Sequence, residues 1–566
     1  MLHSNKKIKM KIKDILVAGS IVIGAMSITS CSDFLELKPT DAQTSETFFR
    51  TSVEAKQALV GIYEKLRSDY NGANPNEVRM FDMAMGDDAY VGGDPTGTDM
   101  PYFQDLSKFR SQTNNAAGKA AWDKCYGGIQ RANTLLVNYD QINFTTAEED
   151  LKNNFKGEAL FLRGHYYFEL ARLFENVPVI TEPLAGDAWK EVQQATPDEL
   201  YAQIAKDMAE AISLMAESAP EGEEGRLDKY AAEAELLKVF LFYTGYYGKS
   251  ELPVKDGVVI VEGESAVTSL NKTHMIDYAN DIITNSGAEL ATNYADLFNE
   301  NGDYNNEVVF EIAFANTGSG DWGDYSYGSI LCQMSGPRGH SGDILKSGWG
   351  FMSPSRELES SFEDGDLRKA STIIYSKDLI DSKGEVYQAH YNFTSMHTNK
   401  YTTHAWNEAE SETPLNWGQN YHYIRFADVL LMAAELNLDT NSGKALEYLN
   451  RVRQRAGLSN KSSISLEDIQ QERRVELALE GHRYFDVLRR GLDEAAEEIN
   501  VSGYTLTPPS DTDEIYVDDN GNNMTGDIGT AETFNVTFDK TKRGFLPIPQ
   551  VEVDLHPTLI QNEGYR

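Results

Sequence analysis

Apolar side chains at Leu151, Phe155, Ala159, Leu162, Tyr166, Leu170 and Leu173 recur in steps of three and four residues. That spacing holds one stripe over about six turns of α-helix. A stripe of this length must pack against other helices, and the sequence supplies them. Ser52 is placed to cap a helix over Val53 to Tyr70, with Leu59, Ile62 and Leu66 on one face. Trp122, Cys125, Ile129, Ala132, Leu136 and Tyr139 repeat the pattern. Thr196-Pro197-Asp198-Glu199 joins a capping box to a proline at the first helical position, ahead of Tyr201, Ile204, Met208 and Ile212. Further helices are predicted over Asp228 to Tyr247, Thr273 to Asn285, Tyr421 to Leu438 and Ser442 to Ala456, with a last one running from Ser465 toward Arg490. The fold class is therefore mainly α: a tetratricopeptide-like helix-pair scaffold, an α-α superhelix, with long irregular insertions and a few short strands such as Val308 to Phe314. The repeat is degenerate, since no clean 34-residue period is present.

Between the helices lie non-periodic stretches at 71–120, 250–272, 286–420 and 500–550, rich in Gly, Asn, Asp, Ser and Tyr. Loops of this length in a compact body usually carry function. No Pro, Ser or Gly linker divides residues 51–566, which read as a single domain with ligand-binding insertions around 71–120 and 286–420. The other end of the argument is the N-terminus. Lys6, Lys7, Lys9, Lys11 and Lys13 precede an apolar run from Ile15 to Ile28, shorter than the roughly 20 residues of a membrane-spanning helix. Ile28-Thr29-Ser30-Cys31 resembles a lipobox, so 1–30 is a lipoprotein signal peptide, Cys31 is the lipidation site, and 31–50 is an extended segment behind a lipid anchor in the membrane.

Charge excludes one class of partner. With 51 basic and 88 acidic side chains the net charge is −37, and removal of residues 1–30, which hold five Lys and one Asp, deepens it to −41. A field of that sign repels phosphate backbones, so no nucleic acid is expected, and polyanionic ligands are disfavoured. Cys125 and Cys332 show no C-x-x-C or His spacing of a metal centre, and the sequence leaves open whether they are two thiols or a disulfide. Nucleophile-elbow, zincin, Walker and dinucleotide motifs are absent, which argues against an enzyme. Asp518-Asp519-Asn520-Gly521-Asn522-Asn523 fails as a calcium loop because Asn523 stands where glycine is required. No cofactor or metal is expected; a structural calcium has acids enough to bind it, but nothing locates one.

Several blocks, in order and spacing, resemble the SusD/RagB-like family of nutrient-binding lipoproteins of Bacteroidetes. They are Cys31-Ser32-Asp33-Phe34-Leu35-Glu36-Leu37-Lys38-Pro39, Phe161 to Leu170 followed by Asn176-Val177-Pro178-Val179, Tyr423 to Glu435, Leu449 to Gly457, Glu472 to Leu477, Glu480 to Arg490, and Leu546-Pro547-Ile548-Pro549-Gln550. Glu563 departs from the pattern, where a proline is common. The resemblance implies a surface glycan-binding protein without catalysis, in the outer membrane and facing outward, that delivers oligo- or polysaccharide to a SusC-like TonB-dependent transporter. A peptide-binding component or a transporter lid of the same kind of complex is the alternative. Arg425, Glu435, Arg473 and Glu480, which lie in these blocks, are expected to form internal ion pairs rather than a site.

A sugar offers C–H faces and a rim of hydroxyls, so its site needs flat aromatic platforms beside polar side chains. Residues 316–350 hold nine glycines with Asp321, Trp322, Tyr325 and Tyr327, then Trp349, all outside any helical stripe. The loop after the first helix adds Arg79, Asp82, Asp87, Asp88, Tyr90 and Tyr102, in the chain region where the resemblance places part of the glycan site. Trp122 and Trp189 read as scaffold, and Trp406 and Trp417 fall in an undefined loop.

Overall fold

Thr51, one residue earlier than expected, caps the first helix: its side chain accepts from the Glu54 N–H, and the Glu54 carboxylate accepts from the Thr51 N–H at 2.9 Å. Extended backbone at Thr51 lets this reciprocal box close, and Ser52 becomes the first helical residue. The computed structural model describes residues 48–68, 78–93, 98–260, 263, 265–317, 327–340, 342–380, 394–407, 416–506 and 532–566. In chain order the first eight helices are α1 (Ser52–Arg67), α2 (Val78–Met85), α3 (Pro101–Ser107), α4 (Ala116–Val137), α5 (Glu149–Phe174), α6 (Pro197–Leu214), α7 (Lys229–Tyr247) and α8 (Lys272–Asn285). Helices Phe426–Asn437, Ser442–Arg455 and Leu466–Glu476 continue the scaffold.

Neighbouring helices run antiparallel. Tyr139, just beyond α4, donates to the Lys152 carbonyl early in α5, while Trp122 near the start of α4 packs edge-on against Phe174 at the end of α5. Gly157 of α5 faces Met215 beyond the end of α6, and Gly164 faces Met208 and Ile204 further back. Tyr201 of α6 packs at a tilt against Tyr243 of α7, whereas Lys229 at the start of α7 donates to the Ala216 carbonyl beyond the end of α6. From α4 to α8 each helix thus packs on the next, α1 on α4, and α8 on Phe426–Asn437, in the manner of a tetratricopeptide-like superhelix. From Glu158 to Phe174 α5 is buried on every side, so the sequence stripe understated its burial: Glu158, Arg163, His165, Glu169 and Arg172 are enclosed as well.

Those polar groups are paired. Arg163 forks onto Asp207 at 2.8 and 2.6 Å. Arg425 meets Glu307, Glu476 and Glu480 at 2.6 to 2.8 Å; Arg473 meets Asp428 and Asp486; Glu435 holds Arg489. The four residues expected to be structural are so placed.

Two expected helices are cut. Tyr421–Arg425 is a buried strand, antiparallel to Val308–Ile312, and the helix begins only at Phe426, whose N–H reaches the Glu307 carbonyl. Aromatic residues alternating along that stretch favour the pleat over the helix. The run toward Arg490 stops at Glu476, because Leu479 and Gly481 take positive φ; helices Arg483–Leu488 and Leu492–Ile499 follow. A Cβ at Gly481 would lie 2.9 Å from the Cα of Arg79, so the close approach requires glycine there. The insertion 71–120 likewise contains α2 and α3. Among the described residues, five two-stranded antiparallel sheets brace the loops. Cys125 and Cys332 are buried thiols, not a disulfide. Among the described residues no helix is long and apolar enough to cross a membrane. The signal peptide, Cys31 and Asp518 to Asn523 lie outside the described residues.

Candidate functional site

The two loop regions singled out by sequence meet in space. Strand Ala89–Gly92, which follows α2, pairs antiparallel with Phe351–Pro354, setting Tyr90 opposite Ser353 and Gly92 opposite Phe351. Gly92 at φ 74° leaves no room for a Cβ against the Gly350 carbonyl. Just beyond, Arg338 donates to Asp99 at 3.0 Å and to the Trp349 carbonyl at 3.2 Å, so one guanidinium ties the first loop to the second. The Arg338 and Asp99 side chains are 28% and 43% exposed, which keeps both in reach of solvent.

Trp349 is half-buried and held from below. Its N–H donates to the Gln333 carbonyl at 2.9 Å, while the Gln333 amide donates to Ser347 O and accepts from the buried Trp417 indole at 3.1 Å. Gln333 sits on the short helix Leu331–Ser335, and Ser329 exchanges backbone bonds with Trp417 to anchor its start. These bonds fix the Trp349 backbone at both its N–H and its carbonyl, so a half-buried aromatic residue is held beside an exposed charged pair. Tyr327 is exposed, with the Arg67 guanidinium 5.1 Å over its ring. Asp321, Trp322 and Tyr325 lie outside the described residues.

The first-loop candidates divide. Arg79 is buried between the Tyr401 and Tyr421 rings at 4.6 and 4.4 Å and is a packing residue, not a ligand contact. Asp82 is buried and accepts from the Tyr484 N–H at 2.8 Å; burial pushes its carboxyl up to about 8. Asp88 is also buried, on Arg474 at 2.9 Å, and burial raises it as well. Asp87 is gripped by Arg474 and Arg483 at 2.6 to 2.9 Å, and although burial opposes it, Arg483 holds its carboxyl low. These aspartates, read from the sequence as hydroxyl acceptors, act chiefly as internal counter-charges. Tyr102 is half-buried on Phe103.

Asp87 and Tyr90 nevertheless reach one wall of a cleft of ≈ 380 Å³, together with Ser107, Glu357, Glu498 and Asn500. Its carboxylates have partners: Glu498 meets Arg483 at 2.7 Å, and Glu357 accepts from Tyr90 at 3.4 Å. Sequence reading passed over Trp406, which is 38% exposed and stacked on His404 at an interplanar angle of 22°. Burial lowers His404 to about 4, so the ring beneath Trp406 is neutral at ordinary pH. The signal available was its position, off any helical stripe. Trp417, its neighbour in the same unassigned stretch, is core.

This arrangement defines a class: a helix-pair scaffold whose insertions converge on a surface with an anchored aromatic and an exposed ion pair. Two family models match separate parts of the chain, the SusD family over residues 379–565 and "Starch-binding associating with outer membrane" over 33–241, so that both parts are similar to SusD-like proteins. A SusD-like protein of Formosa agariphila is 24% identical, over 98% of this chain and all of its own length. Among solved structures, a laminarin binding SusD-like protein aligns with TM-score 0.74 and 29% identity, covering 91% of this chain and 100% of that one. Surface glycan-binding protein A from Bacteroides thetaiotaomicron, in complex with laminarihexaose, aligns with TM-score 0.74 and 24% identity over 90% and 99% of the two chains.

Proposed function

We propose that this protein is a surface glycan-binding lipoprotein that captures oligo- or polysaccharide at the joined loop surface and delivers it to a SusC-like TonB-dependent transporter in the outer membrane. It is a binding protein, not an enzyme. Trp349 carries the reading: a half-buried tryptophan, its backbone pinned by the Gln333 carbonyl and the Arg338 guanidinium, stands next to the exposed Arg338–Asp99 pair. The indole face suits the C–H face of a pyranose, and the guanidinium and carboxylate suit its hydroxyls, one as donor and one as acceptor. The 29% identical laminarin-binding structure supports a glucan as the first ligand to test. Lipidation at Cys31 would hold the chain at the membrane, and the outer-membrane association in the family description agrees with that location.

Affinity electrophoresis of the protein from Ser32 onward, through gels containing laminarin, starch or no glycan, tests the proposal, with peptide competition as control. Retardation by a glycan and its loss in a folded Trp349→Ala variant is the expected result. One aromatic platform with a few hydroxyl contacts gives weak binding, on the order of millimolar to micromolar. No retardation by any glycan, or competition by peptide alone, would overturn it.

A further inference from the structure

We propose that Asp303, Glu311 and His422 form a binding site for one divalent cation of the Zn2+ or Mn2+ type. Glu311 lies on strand Val308–Ile312 and His422 on strand Tyr421–Arg425, where the two residues are register partners in the antiparallel ladder. Partners in such a ladder project to the same face with their Cβ atoms close together. Asp303 arrives from the loop just before the first strand, turned back by the Gly302 N–H on the Asn299 carbonyl and the Asn305 N–H on the Gly302 carbonyl. One ligand atom from each of the three side chains lies within 4.8 Å of the other two. Small movements of the carboxylates therefore bring all three to the ~2.0–2.2 Å that Zn2+ takes with imidazole and carboxylate donors.

His422 is the second observation, independent of the acids. Its side chain is 1% exposed, and neither ring nitrogen completes a hydrogen bond, although Nε2 stands 3.5 Å from Glu311 Oε1 and the Gly302 carbonyl faces the ring. A buried imidazole with unfilled hydrogen-bonding capacity carries a desolvation cost that a coordinated ion would remove. The rest of the pocket is prepared for ligands. Tyr304 N–H donates to both Glu311 oxygens at 3.1 and 3.2 Å, and Asn420 N–H donates to Asp303 at 2.9 Å, fixing the carboxylates from behind.

Electrostatics agree. Burial keeps His422 neutral down to about 3, with Arg425 adding to the effect, and pushes Glu311 up to about 7. With both carboxylates ionised, two carboxylates and a neutral imidazole carry two negative charges, the complement of a divalent ion. An imidazole donor favours Zn2+ or Mn2+ over Ca2+, which takes six to eight oxygens. The deeper cluster of His165, Glu169 and Glu235 differs, because Arg172 and the Tyr423 hydroxyl already occupy its carboxylates. A cation at Asp303 would clamp the 299–305 loop to Asn420, and so brace the segment whose Trp417 supports Gln333 and Trp349.

The test uses the full-length protein in detergent, stripped with chelator and titrated with Zn2+, Mn2+ or Ca2+ by calorimetry and thermal unfolding. One equivalent of Zn2+ or Mn2+ should bind and raise the Tm. His422→Gln and Glu311→Gln should each weaken binding about tenfold or more. Co2+ substituted into the site should show visible bands that shift in His422→Gln. Asp303→Asn, on the loop rather than in the ladder, should leave the metal-free Tm unchanged and still weaken binding. Absence of a one-to-one Zn2+ or Mn2+ complex, tighter binding of Ca2+, or affinity unchanged in both Asp303→Asn and Glu311→Gln would overturn the assignment.

Discussion

Arg425 is fully buried among Glu307, Glu476 and Glu480. Burial by itself would raise the Glu476 and Glu480 carboxyls, yet Arg455, Arg425 and Arg368 around the first, and Arg425 and Lys400 around the second, hold both below the usual carboxylate range. Arg425→Met would strand these charges and should cost about 3–5 kcal/mol in urea unfolding, as breaking a buried pair does. Because their folded pKa values are depressed, the stability these acids confer is full above the unfolded value near 4.5 and disappears as pH falls through the folded one. Unfolding free energy should therefore drop steeply below about pH 4. Glu233 works in the opposite direction. Burial, only partly offset by Lys229, pushes it up to about 9, so its contribution is full below the unfolded pKa and fades as pH rises toward 9. Glu233→Gln should flatten that alkaline decline: measured at pH 6 and pH 9, the variant should gain on the wild type at the higher pH, and an equal difference at both would refute the assignment.

Between elements, the α4–α5 crossing depends on a missing side chain. A Cβ at Gly128 would lie 2.2 Å from the Tyr166 ring, which cannot swing away while its hydroxyl donates to the Ile62 carbonyl at 2.8 Å and links α5 to α1. Gly128→Ala should cost about 1–3 kcal/mol, the range for overpacking, despite the better helix propensity of alanine. A Tm at or above wild type would show that the crossing can open. The helices themselves were legible because stripe and cap are local signals, as at Thr196, where the box and its proline open α6 as read. Tyr421–Arg425 misled because this short, fully buried strand runs straight into a buried helix, and over five residues its alternation is too brief to stand apart from the helical pattern that follows; pairing with Val308–Ile312 separates them. The candidate site was legible by region and not by residue. Exposed loop polarity marked Asp87 and Asp88, but Arg474 and Arg483, almost four hundred residues away in sequence, claim them. Trp349 stands out in the sequence as an aromatic among glycines; Gln333, whose carbonyl holds its backbone N–H, carries no such signal.

At the scale of the whole molecule, the net charge of −37 sets a condition on the ligand that no single contact does. On the proposed function, a polysaccharide must approach a surface of negative potential, and at physiological ionic strength that potential extends about 8 Å from the exposed charges. The described loop surface contributes Arg338 and Arg67, but Asp99 and the Tyr327 ring already engage them, so neither is a ready counter-charge for a polyanion. A neutral glucan meets no such opposition, and its binding through an indole face and neutral hydroxyls should depend little on salt. Gels cast with a neutral and a sulfated or uronate-rich polysaccharide, run at ~50 and ~200 mM salt, separate the two cases. Retardation by the neutral polymer at both concentrations, with none by the charged one, is expected. Retardation by the polyanion that fades as salt rises would place a basic binding surface in this chain and relocate the ligand away from Trp349.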